Sequence, residues 1–419
     1  MHPNALLELA TDLLHRVMRF DSPADSVVSD FFREHRALGQ RERHTLAETT
    51  YTVLRQRLLY QHLAQSGKGE MERRLALLGW QGNAGFLRAA LTEQEQQWLE
   101  KVQSIDTTTL PDKLRHNLPE WLAEPLQASL ADEFWPLVQS LNASAPLDLR
   151  VNAFKAKRDE VQAAFAAANI AAEPTPYSPW GLRVQGKPAL NKLDVFTRGD
   201  VEVQDEGSQL LALLTDAKRS EMVVDFCAGA GGKTLALGAA MRNTGRLYAF
   251  DTSGHRLAAL KPRLARSGLS NVYPVQIAHE RDDRIKRLAG KIDRVLVDAP
   301  CSGLGTLRRN PDMKWRQSPQ SVDELREKQA AILASAARLV KPGGRLVYAT
   351  CSLLEAENEA VAQAFGEAHA REFKTLPAEQ ALAKAHVAAA ETLVRGDYLR
   401  LWPHRHATDG FFAAVWERQ

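Results

Sequence analysis

A chain of 419 residues is long enough for two or three domains with at least one sizeable core. Its apolar fraction of 44% and charged fraction of 25% are ordinary for a globular protein, and no apolar run approaches the length of a membrane span. Asp12, His15 and Arg16 interrupt the one apolar stretch near the start, so no signal peptide is read there and a cytoplasmic location without membrane contact is expected. The net charge of +3 suits a nucleic-acid partner and equally suits a metabolic enzyme, so it decides nothing alone.

Residues 1–140 read as a helical domain. Apolar residues recur at three-to-four spacing through Leu6–Val17 and again through Thr45–Leu63. Residues 146–208 change character. Leu147–Asn152 alternates like a strand, Arg158–Ala168 has helical spacing, and Gly181–Gln185 and Val201–Gln204 are short strands. That order predicts a small α/β module. From residue 209 to 419 strands alternate with helices, which predicts a mostly parallel sheet covered on both faces. The strands are expected at Met222–Phe226, Arg246–Phe250, Val272–Ile277, Ile292–Val297 and Arg345–Ala349. Helices are expected at Gly254–Arg266 and Val322–Leu339, the second stopped by Pro342-Gly343-Gly344 before its strand. The Ala-rich stretch Ala381–Ala390 reads as helix.

The first of those strands runs into Cys227-Ala228-Gly229-Ala230-Gly231-Gly232-Lys233-Thr234. Glycines there permit positive φ and close approach of backbone to a ligand. The next strand ends at Asp251, where a carboxylate can accept hydrogen bonds from ribose hydroxyls. The third glycine of a dinucleotide fingerprint is missing. A phosphate-cradling loop would need four residues between its first glycine and its Gly-Lys pair, and here there are only Ala230 and Gly231. The remaining reading is a nucleoside cofactor without a pyrophosphate, such as S-adenosyl-L-methionine.

The chain has three cysteines, Cys227, Cys301 and Cys351, all in this last segment. No CxxC pair exists, which argues against a cysteine-based zinc site, and no metal is expected; the odd count argues against a disulfide framework. Two further strands lead into Asp298-Ala299-Pro300-Cys301-Ser302-Gly303 and Thr350-Cys351-Ser352. Ligands of an open α/β sheet bind beyond the carboxyl ends of its strands, so Asp225, Asp251, Asp298 and Cys351 are expected at one edge. Carbon 5 of cytosine is a poor nucleophile. Addition of a thiolate to C6 turns the ring into an enamine whose C5 can attack a methyl group. A carboxyl group such as Asp298 would steady charge at N3 and the exocyclic amine, and a second ionisable group would help release the product. Lys233 is a candidate for the positive charge that favours a thiolate. Spacing leaves open which cysteine is the nucleophile.

Through these residues the catalytic half resembles the Sun/RsmB-type family of RNA cytosine-5 methyltransferases. The likeness rests on Leu149-Arg150-Val151-Asn152, Gln204-Asp205-Glu206-Gly207-Ser208-Gln209, the Cys227–Thr234 loop, Asp298–Gly303, Arg308-Arg309-Asn310-Pro311-Asp312, Thr350-Cys351-Ser352 and Thr408-Asp409-Gly410-Phe411-Phe412. It implies a Rossmann-like methyltransferase domain carrying a small α/β RNA-binding-like module. It implies that Cys351 is the nucleophile, that Cys301 assists product release, and that Asp298 contacts the target base near the cofactor. Cys227, Ala228, Gly229, Ala230, Gly231, Gly232, Lys233 and Asp251 would bind the cofactor. Where the family commonly has an acidic residue after the third strand, this chain has His279 followed by Glu280, so His279, or Glu280 in its place, is expected to make that cofactor contact. The segment Arg41-Glu42-Arg43 with Tyr51-Thr52-Val53-Leu54-Arg55 is similar to the NusB-like helical domain of bacterial ribosomal-RNA members. The implied partner is RNA, namely ribosomal RNA or a partly assembled ribosomal subunit, met by a monomer.

Arg308, Arg309, Lys314 and Arg316, with Trp315 among them, follow the Asp298 loop and suit contacts to RNA backbone and bases. Tyr398, Arg400, Trp402, His404, Arg405 and His406 repeat the combination. A target base would have to leave its stack to reach Cys351. The rival readings are a transfer-RNA enzyme, a DNA cytosine-5 methyltransferase, and an RNA-binding assembly factor that has lost catalysis.

Overall fold

The computed structural model describes residues 1–419. Its contacts divide the chain into two units, one of Met1–Ser144 with Thr306–Pro319 and one of Ala145–Gly305 with Gln320–Gln419. No helix is long and apolar enough to cross a membrane.

The first unit is all helical. Pro3–Val17 opens it, with Pro at the first helical position, where its missing N–H costs nothing. Leu7, Leu13 and Leu14 of that helix, Phe31, Val53, Leu54 and Leu75 are all fully buried in its core. The periodic run expected to continue from Thr45 to Leu63 is two helices, Gln40–Arg55 and Arg57–Ala64. The break falls at Gln56, whose side-chain oxygen accepts from Asn117 Nδ2 at 2.8 Å, while Asn117 Oδ1 accepts from Leu59 N at 3.1 Å. The segment Thr306–Pro319 belongs to this unit, so the expected span 209–419 is not continuous in space.

In the second unit a four-stranded antiparallel sheet comes first. Its strands are β1 (Leu147–Val151), β2 (Ala172–Pro174), β3 (Gly181–Val184) and β4 (Val201–Val203), in the order β2-β3-β1-β4. Leu149, Val151, Leu182 and Val201 pack on Val161 and Phe165 of the helix Arg158–Ala167. β2, a three-residue edge strand, is an addition to the elements expected from the sequence.

The larger sheet contains β5 (Met222–Asp225), β6 (Arg246–Asp251), β7 (Val272–Gln276), β8 (Ile292–Asp298), β9 (Val340–Thr350), β10 (Phe373–Thr375), β11 (Val394–Arg395), β12 (Tyr398–Leu401) and β13 (Phe411–Arg418). The order is β11-β12-β13-β9-β8-β5-β6-β7, with β10 paired to β13. β5 through β9 pair in parallel, and β13 closes on β9 antiparallel. Alternate residues feed two cores, as the two-residue period of a strand requires. Val223, Leu247, Leu296, Val347 and Ala349 meet Leu210, Leu211 and Leu235 on one face. Val224, Phe250, Val295, Val297 and Tyr348 meet Ile332, Leu333 and Phe365 on the other. Both faces are covered, which is why these strands read as apolar runs.

Two details differ from the sequence reading. The helix spans Pro319–Ala337, and β9 already starts at Val340, so Pro342-Gly343-Gly344 lies inside the strand. A register shift between Ile292 and Arg294 on β8 absorbs the irregularity, and Gly343 takes φ +75°. Within Ala381–Ala390 only the end of the helix Ala378–Lys384 is helical, and a short 3-10 turn covers Ala390–Leu393.

The small sheet is fastened to the large one by buried polar groups. Asn152 Nδ2 donates to Gly199 O and Ser267 O, each at 3.0 Å. Glu202, 5% exposed at its side chain, receives Arg263 at 3.1 Å and also Arg266. The run Gln204–Gln209 forms the junction. Asp205 caps the helix Glu206–Thr215 by accepting from Gly207 N at 2.8 Å, and Glu206 Oε1 accepts from Tyr177 N and Ser178 N at 2.6 and 2.7 Å. Gly207 lies so close to Phe411 that a Cβ would come within 2.5 Å of its ring.

Two outcomes follow. Glu202→Ala leaves two arginines facing each other without their shared carboxylate, so it should lower stability by about 3 kcal/mol, read as a shift in the denaturant midpoint. Asp225 is fully buried at the end of β5; burial, aided by the charge of Asp298 and opposed by a hydrogen bond from Thr234, pushes it up to about 7. The folded state therefore keeps a proton that the unfolded chain releases near its ordinary 3.8. Stability should be greatest below that value and fall as pH rises toward about 7, with a slope of at most about 1.4 kcal/mol per pH unit. Asp225→Asn should flatten that slope in pH-dependent unfolding; an unchanged slope would contradict a buried, protonated Asp225.

Candidate active site

The order of the parallel strands reverses between β5 and β8, and in such sheets the crevice for ligands opens beyond the carboxyl ends at that point. β5 and its neighbours deliver Asp225, Asp251, Asp298 and Thr350-Cys351 to this edge.

The glycine-rich turn follows β5. Ala228 N donates to Phe250 O at 2.8 Å and Gly231 N to Ala228 O at 2.9 Å, which folds the loop back before the helix Gly232–Ala240. Gly229 and Gly231 take φ +55° and +83°. A Cβ at Gly231 would meet Leu260 at 2.1 Å, whereas one at Gly229 would meet nothing within 4 Å, so Gly229 faces open space. Gly229 N donates to Asp251 Oδ2 at 2.8 Å and Ser253 N to Asp251 Oδ1 at 2.7 Å. The Asp251 carboxylate is thus held rigidly by one backbone N–H on each oxygen, with lone pairs left over. Thr234 Oγ1 donates to Asp225 Oδ2 at 2.7 Å, and Asp225 Oδ1 is buried without a partner. An open cradle beside Gly229, a fixed carboxylate at Asp251 and an unsatisfied buried oxygen at Asp225 fit a nucleoside cofactor with hydroxyl and amino donors.

Lys233 Nζ donates to Asp298 Oδ2 at 2.8 Å. Burial opposes the Lys233 ammonium, but the charge of Asp298, the hydrogen bond to it and the nearby Cys351 outweigh burial and raise its pKa. The ammonium also sits 5.9 Å from the centre of the Phe411 ring. Cys301 Sγ and Cys351 Sγ are 3.4 Å apart, and Cys351 N approaches Cys301 Sγ at 3.4 Å. The contact with Cys351, then burial, push the Cys301 thiol well up. Cys227 is half-buried in the same loop cluster, and burial pushes its thiol up as well.

The Cys351 loop is fixed from several sides. Gly305 N donates to Cys351 O and Gly410 N to Gly305 O, each at 2.8 Å. A Cβ on Gly305 would come within 2.0 Å of Gly410 O, so only glycine fits this crossing. Arg400 donates to Ser352 O at 3.2 Å and to Leu353 O at 2.8 Å. Glu357, fully buried, accepts from Ser302 and Ser352, the residues that follow the two cysteines.

Of the residues expected from the sequence, Cys227 through Lys233, Asp251, Asp298, Cys301 and Cys351 all lie at this one edge of the sheet. His279 lies exposed in the loop after β7, its Nδ1 accepting from Arg281 N at 3.1 Å, and Glu280 pairs loosely with Arg281 at 3.6 Å.

Two of the four expected RNA-contacting cations prove to be interior. Arg308 and Lys314 are buried inside the helical unit. Lys314 Nζ donates to Arg55 O at 3.0 Å, Arg55 donates to Arg308 O at 3.0 Å, and Trp315 Nε1 donates to Leu54 O at 3.1 Å. Burial, with Arg55 and Arg57 nearby, brings Lys314 down to about 7, the signature of an interior lysine rather than a phosphate contact. Arg309 is half-buried, and Arg316 pairs with Asp312 at 3.6 Å. Near the C-terminus Arg400, Trp402 and His406 are buried too, so they hold the fold rather than offer a surface.

The sequence reading also lacked Glu357 and the role of Arg400. A glutamate in Glu355-Ala356-Glu357-Asn358-Glu359 looks like the start of any exposed helix, and its position five residues after Ser352 was the only signal.

Comparison with known proteins agrees with this geometry. Residues 212–417 match the model for 16S rRNA methyltransferase RsmB/F, and residues 118–191 match the RsmF/B-like ferredoxin-like domain. A protein of Bacillus subtilis named "Probable ribosomal RNA small subunit methyltransferase B" is 32% identical over 336 residues, 80% of this chain and 74% of that one. A Synechocystis protein of the same name is 36% identical over 302 residues, covering 72% of this chain and 66% of the relative. The crystal structure of PH0851 superposes with a TM-score of 0.82 at 26% identity, covering 100% of this chain and 99% of that one. The chain belongs to the RsmB/F family of 16S rRNA methyltransferases.

Proposed function

We propose that this chain methylates carbon 5 of a cytosine in small-subunit ribosomal RNA through a transient bond between Cys351 Sγ and C6 of the base. The observation that carries the reading is the pair of sulfurs 3.4 Å apart, beside a lysine–carboxylate pair and the glycine-rich loop. The family membership supports the substrate, since the curated relatives are named for small-subunit ribosomal RNA. That substrate in turn supports a cytoplasmic location.

The Gly229 cradle, Asp251 and Lys233 are the residues assigned to hold S-adenosylmethionine. When bound, that cofactor supplies an electrophilic methyl group. Cys351, as thiolate, adds to C6 and leaves C5 electron-rich. Asp298 is fixed through one oxygen by Lys233, and its other oxygen is assigned to the N3 and exocyclic-amine edge of the base. Lys233, kept protonated against burial by Asp298 and by the nearby Cys351, is the cation assigned to the cysteine site. Cys301 keeps its proton because the adjacent sulfur and burial both disfavour a second thiolate. Once Cys351 is bonded to C6 it no longer carries a charge beside Cys301, so Cys301 is assigned to the later step: it loses its proton to solvent and takes the C5 proton as the C5–C6 double bond re-forms and Cys351 departs as thiolate.

The two thiols should fail differently. Cys351→Ala should abolish methyl transfer and leave no protein–RNA adduct. Cys301→Ala should slow turnover by at least about a hundredfold, within the range of a lost acid–base group, and accumulate an adduct that survives denaturing electrophoresis. Adduct accumulation in Cys351→Ala would reverse the two roles. Transfer to DNA or to transfer RNA in preference to small-subunit ribosomal RNA would refute the substrate.

A further inference from the structure

Between the two cysteine loops and the helices behind them lies a carboxylate that touches neither sulfur. Glu357 is fully buried. Its Oε1 accepts from Ser302 N at 2.8 Å and from Gln329 Nε2 at 3.0 Å. Its Oε2 accepts from Ser302 Oγ at 2.5 Å and from Ser352 Oγ. The two serine hydroxyls lie 3.2 Å apart, and each serine directly follows a cysteine. Gln329 Nε2 also reaches Pro300 O at 2.9 Å, on the other side of Cys301. Tyr348 OH donates to the backbone oxygen of Glu357 at 2.6 Å, and Asn358 Nδ2 donates to Ser352 O at 3.0 Å.

A buried carboxylate is costly unless every lone pair is engaged, and four donors converge here. Two of the four donors come from Ser302, one from Ser352 and one from the helix Pro319–Ala337. Two loops from different strands, about fifty residues apart in sequence, are thus referred to one pair of oxygen atoms. We propose that Glu357 is the positioning residue of the cysteine pair: by binding the serine after each cysteine it fixes the distance at which the two sulfurs meet. The proposal deepens the methyl-transfer reading and rests on it for the consequence in turnover. Its geometric part stands on the free enzyme.

Electrostatics agree in sign. The Glu357 charge adds to the contact with Cys351 and to burial in pushing the Cys301 thiol up. The Tyr348 hydroxyl, whose pKa burial raises, is pushed further the same way by Cys301 and Glu357. Removing the charge should therefore let Cys301 ionise more readily, and loosening the clamp should weaken its contact with Cys351.

The test is alkylation of the intact, unliganded protein with iodoacetamide from pH 6 to 9, with labelled cysteines mapped by mass spectrometry and Cys227 as internal reference. In the unaltered protein Cys351 should label well ahead of Cys301. In Glu357→Gln the ratio of Cys301 to Cys351 labelling should rise by about tenfold, the equivalent of one pKa unit. Turnover should fall at least about tenfold, with KM for cofactor and RNA within about twofold, because Glu357 touches neither site. Ser302→Ala and Ser352→Ala keep the carboxylate and most of its donors, so they guard against a Glu357 variant that does not fold. Each should lower kcat several-fold without moving KM. A labelling ratio and kcat unchanged in Glu357→Gln, or in both serine variants where that protein does not fold, would overturn the proposal. Because labelling needs neither RNA nor cofactor, a protein that proves inactive on RNA would defeat the methyl-transfer reading and leave the labelling result to judge the clamp.

Discussion

Two sulfur atoms 3.4 Å apart cannot both carry a negative charge in a half-buried site, because like charges at that distance shift one group strongly toward its neutral form. One thiol must keep its proton while the other can lose it. Under the proposed reaction, that single constraint would divide the labour between a nucleophile and a proton-holding partner. The rest of the catalytic unit makes the contact possible. β8 and β9 are parallel neighbours in register from Arg294↔Arg345 to Asp298↔Ala349, so their carboxyl ends arrive side by side. Cys301 and Cys351 then differ in their surroundings. Cys351 faces the ammonium of Lys233, and Cys301 has the carboxylate of Glu357 behind it.

The same edge explains why the cofactor loop and the cysteines share one crevice. β5 lies beside β8, and the turn after β5 places Lys233 against Asp298 at 2.8 Å. β13, the antiparallel strand, contributes through its start. Gly410 and Phe411 pack against Gly305, Gly207 and Lys233, so the C-terminal strand braces the loops that carry chemistry. The proposed covalent reaction would need its nucleophile held in place, and backbone crossings that admit only glycine provide such rigidity.

Much of this was legible in the sequence because strand ends are. Apolar runs stop at Asp225, Asp251 and Asp298, and a carboxylate at the end of each marks where a strand reaches the ligand edge. A doubly covered parallel sheet writes its strands as such runs. The family likeness through the Asp298–Gly303 and Thr350–Ser352 segments supplied the cofactor and reaction class. In the basic cluster at Arg308–Arg316, Arg308 and Lys314 differ from the expectation for a physical reason. A lysine that donates to a backbone carbonyl inside a helical unit has the same letter as one that waits for phosphate, and only burial tells them apart. Arg400 and Glu357 escaped in the same way, since buried charges are rare enough that composition offers no hint of them. The short strands β2, β10, β11 and β12, two to four residues long, escaped the sequence pattern, although β3 and β4 of similar length did not.

The most direct test of Cys351 as nucleophile uses an RNA target in which the methylated cytosine carries fluorine at C5. The fluorine cannot leave as a proton does, so the adduct should persist once the methyl group has been transferred. Digestion and mass spectrometry would then locate the modified peptide. The account predicts that it contains Cys351 and that its formation requires S-adenosylmethionine. A modified peptide containing Cys301 would contradict the assignment of the thiolate. Full methylation of the normal target with no trapped species on the fluorinated one would contradict covalent catalysis itself.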